Sequence, residues 1–211
     1  SKQTVPHFYL TVDVDAAPLV ALRSQLLEDL AAAPDAPKVS YNDLIIKAVA
    51  IAMARVPAVN AQFTPEAIIR HHRIDISVAV AIEDGLVTPV IRQAQAKGVL
   101  EIGREMRDLA ARAKQRKLAL EEMTDGTFSI SNLGMYGIDS FAAVINPPEG
   151  AILAVGAIRA EPVLAGDQVV PGRRMALTLS CDHRVVDGAV GAAFLQTLRQ
   201  VLEHPGQILT Y

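Results

Sequence analysis

Ser180-Cys181-Asp182-His183-Arg184-Val185-Val186-Asp187-Gly188 carries an apolar, β-type run into a charged turn that ends on glycine, just before a helical pattern. Upstream, RMALTLSCDH (174–183) reads as a strand. Downstream, Phe194, Leu195, Leu198, Val201 and Leu202 recur on one helical face and predict a closing helix from about Ala189 to Glu203. A turn held between a strand and a helix presents polar side chains on a rigid scaffold, and His183 is the one residue there of a type that exchanges protons near neutrality. From this segment alone, a catalytic and a purely structural histidine both remain open.

Working outward, the chain alternates Phe8, Leu10, Val12 and Val14 against His7, Tyr9, Thr11 and Asp13, the period-two pattern of a half-buried strand. Asp15 offers an N-cap, with Pro18 in the first turn, for an amphipathic helix through Leu19, Leu22, Leu26, Leu27 and Leu30. Pro34, Asp35 and Pro37 break it. Ser40 with Asp43 resembles a capping box ahead of a second helix through Leu44, Ile45, Ala48 and Ala52, which ends before Pro57. IDISVAVAI (74–82) reads as a strand turning at Glu83-Asp84-Gly85 into LVTPVI (86–91), a hairpin whose Pro89 belongs at an edge or a bulge. Helix spacing returns at Leu100, Met106, Leu109, Ala110 and Ala113, and TFSISNL (127–133), AAVI (142–145) and AILAVGAI (151–158) read as further β-runs. The sum is a mixed α/β chain with neither GxGxxG nor GxxxxGK[ST], so no Rossmann unit or P-loop is indicated.

With 211 residues, 51% hydrophobic and 20% charged, the chain is an ordinary globular one, read as a single domain over 1–211. A net charge of −3 argues against a nucleic-acid binder, which needs a basic surface to neutralise phosphates. Cys181 is the single cysteine, so neither an intrachain disulfide nor a CxxC metal pair is possible and a reducing compartment is expected. Apolar runs such as IIKAVAIAMA (45–54) fall short of the ~20 residues that span a bilayer. The chain begins at Ser1, without Met, and is read as a fragment of a longer polypeptide.

His183, Asp187 and Gly188 spell HxxxDG, the active-site signature of acyltransferases that resemble chloramphenicol acetyltransferase. The match extends through SKQTVPHFYLTVDVD, SYNDLIIKAVAIA, DISVAVAIEDGLVTPVI, GTFSISNLGMYGIDSFAAVINPPEGAILAVGAI and LTLSCDHRVVDGAVGA, which resemble the dihydrolipoamide acyltransferase cores of the 2-oxoacid dehydrogenase complexes nearly end to end. SNLGMYGI and LSCDHRVVDGAVGA most resemble the acetyl-transferring, pyruvate branch, with branched-chain or succinyl cores and a non-catalytic scaffold as alternatives. The resemblance implies a chloramphenicol-acetyltransferase-like α/β fold and acetyl transfer from S-acetyldihydrolipoamide to coenzyme A, both as substrates, with no bound cofactor or metal. It implies His183 as general base, Ser131 as hydrogen-bond donor to the tetrahedral oxyanion, and Asp187 as the acid that holds the loop through a charge-paired contact. It also implies Thr88, on LVTPVI, as a substrate-channel contact.

The resemblance further implies a homotrimer with its site in a channel between subunits, and trimers that build cubic or dodecahedral cores. Lipoyl domains, the pyruvate decarboxylase component and dihydrolipoamide dehydrogenase would be partners, and neither nucleic acid nor membrane. The lipoyl and peripheral-subunit-binding domains that precede such a core would lie outside these 211 residues, in a bacterial cytoplasm or a mitochondrial matrix.

Neighbouring residues leave choices. Ser129 and Ser131 are two apart and share a strand face, so spacing cannot separate them, although motif position favours Ser131. Cys181, read on the same strand face as His183, invites a covalent acyl-enzyme, against which stands a thiol that merely packs. Asn132 binds substrate or caps a turn. His71-His72-Arg73 could form a metal half-site or an anion patch, but adjacent strand positions face opposite ways, and a solvated edge is the better reading. Arg104, Arg107, Arg112, Lys114, Arg116 and Lys117 make one helix basic, and with Glu105 and Asp108 interspersed an exposed face is favoured over a phosphate or acidic-domain contact.

Overall fold

The computed structural model describes residues 1–33 and 35–211; Pro34, read as part of the break after the first helix, lies outside them. Strand β1 (His7–Asp15) leads into α1 (Ala17–Leu30) and α2 (Tyr41–Arg55). Short strands β2 (Ala61–Phe63), β3 (Ile68–Arg70), β4 (Ile76–Val78), β5 (Val80–Ile82), β6 (Gly85–Val87) and β7 (Val90–Ile91) precede α3 (Val99–Lys114). Then come β8 (Phe128–Asn132), β9 (Ala151–Ala165), β10 (Gln168–Asp182), α4 (Gly188–Glu203) and a last turn, α5 (Gln207–Thr210).

One six-stranded sheet, ordered β1-β10-β9-β8-β4-β7, forms the frame, and β2-β3 and β5-β6 are separate two-stranded ribbons. β8 runs parallel to both β4 and β9 while the other pairs are antiparallel, which makes the sheet mixed. Alternation sorts its two faces. Phe128, Ile130, Leu153, Val155, Leu177, Leu179 and Cys181 point into the helix-covered core, where the Phe128 ring lies 5.4 Å from that of Phe194 on α4. Ser129, Ser131, Thr178 and Ser180 occupy the alternate positions and so the opposite face. The helix-facing side therefore supplies cohesion, and the other side carries hydroxyls, those of Ser129, Thr178 and Ser180 being bonded to Glu149, Thr11 and the Ala143 carbonyl.

α2 is buried continuously from Asp43 to Met53, so it reads as apolar nearly all round. Its capping box forms as expected: Ser40 Oγ accepts from the Asp43 amide at 3.1 Å, and the Asp43 carboxylate accepts from the Ser40 amide at 2.8 Å. Lys47, fully buried on this helix, donates its Nζ hydrogen to the Gln95 carbonyl at 2.8 Å, and burial pulls its pKa down.

Several sequence readings need correction. The first helix is capped by Ala16, and Asp15 instead accepts from the Ala17 amide at 3.0 Å, a one-residue displacement at a helix start. IDISVAVAI is not one strand. It breaks at Ala79, whose amide donates to the Ile130 carbonyl, so β4 joins the sheet while β5 turns away to pair with β6. Pro89 then falls between the ribbon strand β6 and the sheet's edge strand β7. AAVI (142–145) is not a strand, because its backbone is bonded by side chains: Ser180 Oγ donates to the Ala143 carbonyl at 2.7 Å, and the Ile145 amide donates to His7 at 3.1 Å. The last hairpin is longer than the apolar runs suggested, with Pro162 opposite Pro171 in its outer half.

Candidate active site

The turn after β10 is built by its own acids. β10 ends at Asp182, which accepts bonds from the Arg184 amide at 3.0 Å and from the Arg184 guanidinium at 2.9 and 2.7 Å. The guanidinium lies over the Phe63 ring at 4.0 Å, and hydrogen bonding to Asp182 raises its pKa further. Asp187 is the N-cap of α4, its carboxylate accepting from the Val190 amide at 2.8 Å. The contact seen at Asp187 is this helix cap; among the described residues the turn's ion pair is Asp182–Arg184, not one at Asp187. A negative side chain at a helix N-terminus also meets the positive end of the macrodipole.

These anchors leave His183 exposed at the corner. Its amide donates to the Pro6 carbonyl at 3.0 Å, and its ring packs on Phe8 with centroids 4.7 Å apart. Because the strand stops at Asp182, His183 does not share a strand face with Cys181 as the sequence suggested. Cys181 is fully buried, and burial, with Asp182 adding to it, pushes its thiol up to about 12. A thiol held protonated in an apolar core is no nucleophile.

The two serines of β8 are in different circumstances. Ser129 is 1% exposed and donates its hydroxyl to Glu149, which also accepts from Ser77. Glu149 is only 4% exposed; burial pushes its carboxyl up and the two hydroxyls oppose that. Ser131 is half-buried and borders two cavities. One, of about 400 Å³, is lined by Asn42, Met106, Arg107, Lys114, Asn132 and Tyr136 among others. The second, of about 340 Å³, brings both Ser129 and Ser131 together with Thr88 beside a wall formed by Phe141 and Ala143–Asn146, with the Ser129 hydroxyl turned to Glu149. His183 lines neither of these cavities.

Asn132 caps the turn: its Oδ1 accepts from the Gly134 amide at 2.9 Å, while its Nδ2 donates to Asn42 at 3.3 Å. Beyond it Met135 is 81% exposed. His71 and His72 follow β3 rather than sit on a strand, and the His71 ring meets Gln62 at 3.0 Å, with burial lowering its pKa. Among the described residues, no group of three or more His, Cys, Asp or Glu gathers as a metal site. Among the described residues, no helix is long and apolar enough to cross a membrane. Of the basic residues, Arg107 faces Asp43 at 3.6 Å, Arg112 is paired with Asp108 and Glu122, and Arg116 with Asp84, the last beyond the end of α3.

Sequence reasoning missed Ser77, Glu149 and His7 as parts of this region. The signal for Glu149 was a lone acid between Pro147-Pro148 and an apolar run. No local pattern marked His7 beyond its place at a strand start.

A mixed sheet with helices on one face, hydroxyls on the other and HxxxDG at a strand-to-helix corner is the arrangement of a chloramphenicol-acetyltransferase-like fold. Chloramphenicol acetyltransferase itself superposes with a TM-score of 0.62 at 15% identity, covering 94% of this chain and 89% of that one, which is a likeness of fold. The chain belongs to the family described as 2-oxoacid dehydrogenases acyltransferase (catalytic domain), whose model matches residues 1–210. It is 47% identical over 209 residues to the dihydrolipoyllysine-residue acetyltransferase component of pyruvate dehydrogenase complex of Rickettsia felis, covering 99% of this chain and 50% of that protein. The chain thus spans about half the length of the curated relatives it matches. The cubic core of the pyruvate dehydrogenase multienzyme complex superposes with a TM-score of 0.92 at 34% identity, covering 99% of this chain and 86% of that one.

Proposed function

We propose that this chain is an acyltransferase catalytic domain that moves an acetyl group from S-acetyldihydrolipoamide to coenzyme A within a pyruvate dehydrogenase complex. His183 takes the proton of the coenzyme A thiol, and the thiolate attacks the thioester carbonyl. Ser131 donates a hydrogen bond to the tetrahedral oxyanion, a contact worth ~3 kcal/mol in comparable sites. Collapse expels the dihydrolipoyl thiolate, which recovers the proton from His183, so no covalent acyl-enzyme is needed. Asp187 holds the turn, Thr88 contacts substrate beside Ser131, and Asn132 acts mainly by fixing the turn that follows Ser131.

The observation that carries this reading is the separation of the two halves. Ser131 borders two cavities with different walls, suited to two thiol substrates arriving from different sides, while His183 stands exposed and lines neither. A second copy of the chain, placing its His183 at the first copy's Ser131, completes the site; that the copies form a homotrimer, and that trimers build a cubic or dodecahedral core, is what the resemblance to the family implies. Lipoyl domains, the decarboxylase component and dihydrolipoamide dehydrogenase are the partners of that longer protein, and residues 1–211 are its single catalytic domain. We place it in a bacterial cytoplasm or a mitochondrial matrix, where an unpaired Cys181 remains a thiol.

The test is acetyl-CoA formation from S-acetyldihydrolipoamide and coenzyme A by the assembled protein, with succinyl and isobutyryl donors alongside. Turnover with the acetyl donor preferred is expected; partial use of the others is compatible, since one methylene is worth only ~1–3 kcal/mol. An assembled protein inert toward all three donors would overturn the assignment.

A further inference from the structure

His7 is half-buried at the start of β1, and both of its ring nitrogens are bonded to backbone. Nδ1 lies 2.8 Å from the Val5 carbonyl, and Nε2 lies 3.1 Å from the Ile145 amide. A carbonyl can only accept and an amide can only donate, so Nδ1 carries the ring hydrogen and Nε2 is the bare acceptor. The tautomer follows from the bonding, and the ring is a clamp between the chain just before β1 and residue 145.

What the clamp holds is the wall of a cavity. Residues 141–146 belong to no strand, and Ala143, Val144, Ile145 and Asn146 line the cavity that contains Ser131 and Thr88. Two side chains bond the backbone of this wall to the sheet: Ser180 of β10 at Ala143, and His7 of β1 at Ile145. A small cluster of Val5, Ile145 and Ile152 supports the second bond. The same end of β1 steadies the other half of the site, since Pro6 accepts from the His183 amide and Phe8 packs on the His183 ring.

We infer that His7 is a positioning residue for the acyl-transfer reaction: through Nε2 it fixes residues 141–146 as the wall of one of the two cavities at Ser131. The inference rests on the function proposed above. Because the wall borders the Thr88 cavity and not the Arg107 cavity, losing the clamp acts on one thiol substrate and spares the other.

Three variants of the whole protein test this in steady-state kinetics with S-acetyldihydrolipoamide and coenzyme A. His7→Ala removes both bonds. His7→Asn puts an amide near the Nδ1 position and restores only the local bond to Val5, whereas His7→Gln reaches the Nε2 position with an oxygen that can accept from Ile145. The expected result is a ~5- to 10-fold rise in KM for one substrate only, in the Ala and Asn variants, with Gln restoring most of the wild-type value, in keeping with one hydrogen bond lost. Amide hydrogen exchange at Ile145 should quicken in Ala and Asn and not in Gln. Should His7→Ala fail to fold, the Asn and Gln pair answers the same question. Wild-type kinetics in Asn, equal rises in both KM values, or no rescue by Gln would overturn the inference. Absence of turnover in the wild type would instead overturn the proposed function, and the exchange measurement would still report on the clamp.

Discussion

At the scale of single residues, each functional group is defined by what already engages its neighbours. Ser129 is bonded to a buried carboxyl and Ser131 opens onto two cavities, so the two substitutions should separate. Ser131→Ala is expected to lower kcat ~10²–10³-fold with little change in KM, the signature of a contact made in the transition state. Equal losses in Ser129→Ala would reassign the oxyanion donor. His183→Ala should cost ~10²–10⁴-fold in turnover while leaving assembly mass unchanged, because an exposed ring rather than core volume is removed. Glu149 gives a pH test. Burial raises its pKa in the fold, and an acid with a raised folded value binds more protons folded than unfolded. Its stabilising contribution is whole below the unfolded value of ~4.3 and is lost as pH rises toward the folded one. Melting temperatures from about pH 5 to 8 should therefore show Glu149→Gln gaining on the wild type as pH increases. A difference that is flat with pH would mean that Glu149 titrates in the fold as it does unfolded.

Elements carry the next layer of argument. The turn that presents His183 is rigid because it is tied at both ends, by Asp182 to Arg184 and by Asp187 to the first turn of α4. Removing the cap in Asp187→Ala should cost ~1 kcal/mol of stability, measured by denaturant unfolding, whereas Asp187→Asn keeps an acceptor and should stay close to the wild type. If Asn is as damaging as Ala, the charge rather than the cap holds the turn, and the ion-pair reading of this acid is restored. α2 shows how far local chemistry reaches: Ser40 and Asp43 wrote its start in sequence, and both bonds of the capping box are present. The extended reading of 142–145 failed for a non-local reason, since apolar residues bonded to side chains of distant strands look, in sequence, like residues of a ladder.

For the whole molecule, the decisive question is whether one copy suffices. If His183 and Ser131 of a working site come from different copies, the Ser131→Ala and His183→Ala proteins each lack one half of every site. A mixed assembly joins an intact His183 to an intact Ser131 at about a quarter of its interfaces when equal amounts mix at random, as cyclic symmetry dictates. Co-refolding the two inactive variants should then yield about a quarter of wild-type activity, with mixing confirmed by mass. Activity that stays at the sum of the parents in a proven mixture would mean that both groups of a working site lie within one copy or that Ser131 is the wrong hydroxyl, and the same mixing with Ser129→Ala tells these apart.

The sequence by itself determined the helices α1 to α4, the strands β1, β8, β9 and β10, the capping box of α2, the apolar face of α4 and, through HxxxDG and its flanking segments, the family. These are legible because they are written in neighbouring residues: a period of two or of 3.6, a cap three residues from its partner, a motif read without gaps. Only the tertiary structure decided which serine is bonded to a buried carboxyl, that the Cys181 thiol is buried, that Asp187 caps a helix, and that His7 reaches Ile145 across 138 positions of chain. Each of those depends on what lies across the sheet or between distant segments, and a buried carboxyl such as Glu149 claims one hydroxyl and leaves another two residues away to the cavities. Periodicity places both serines on one face; the partner that packs against that face determines which of them it engages.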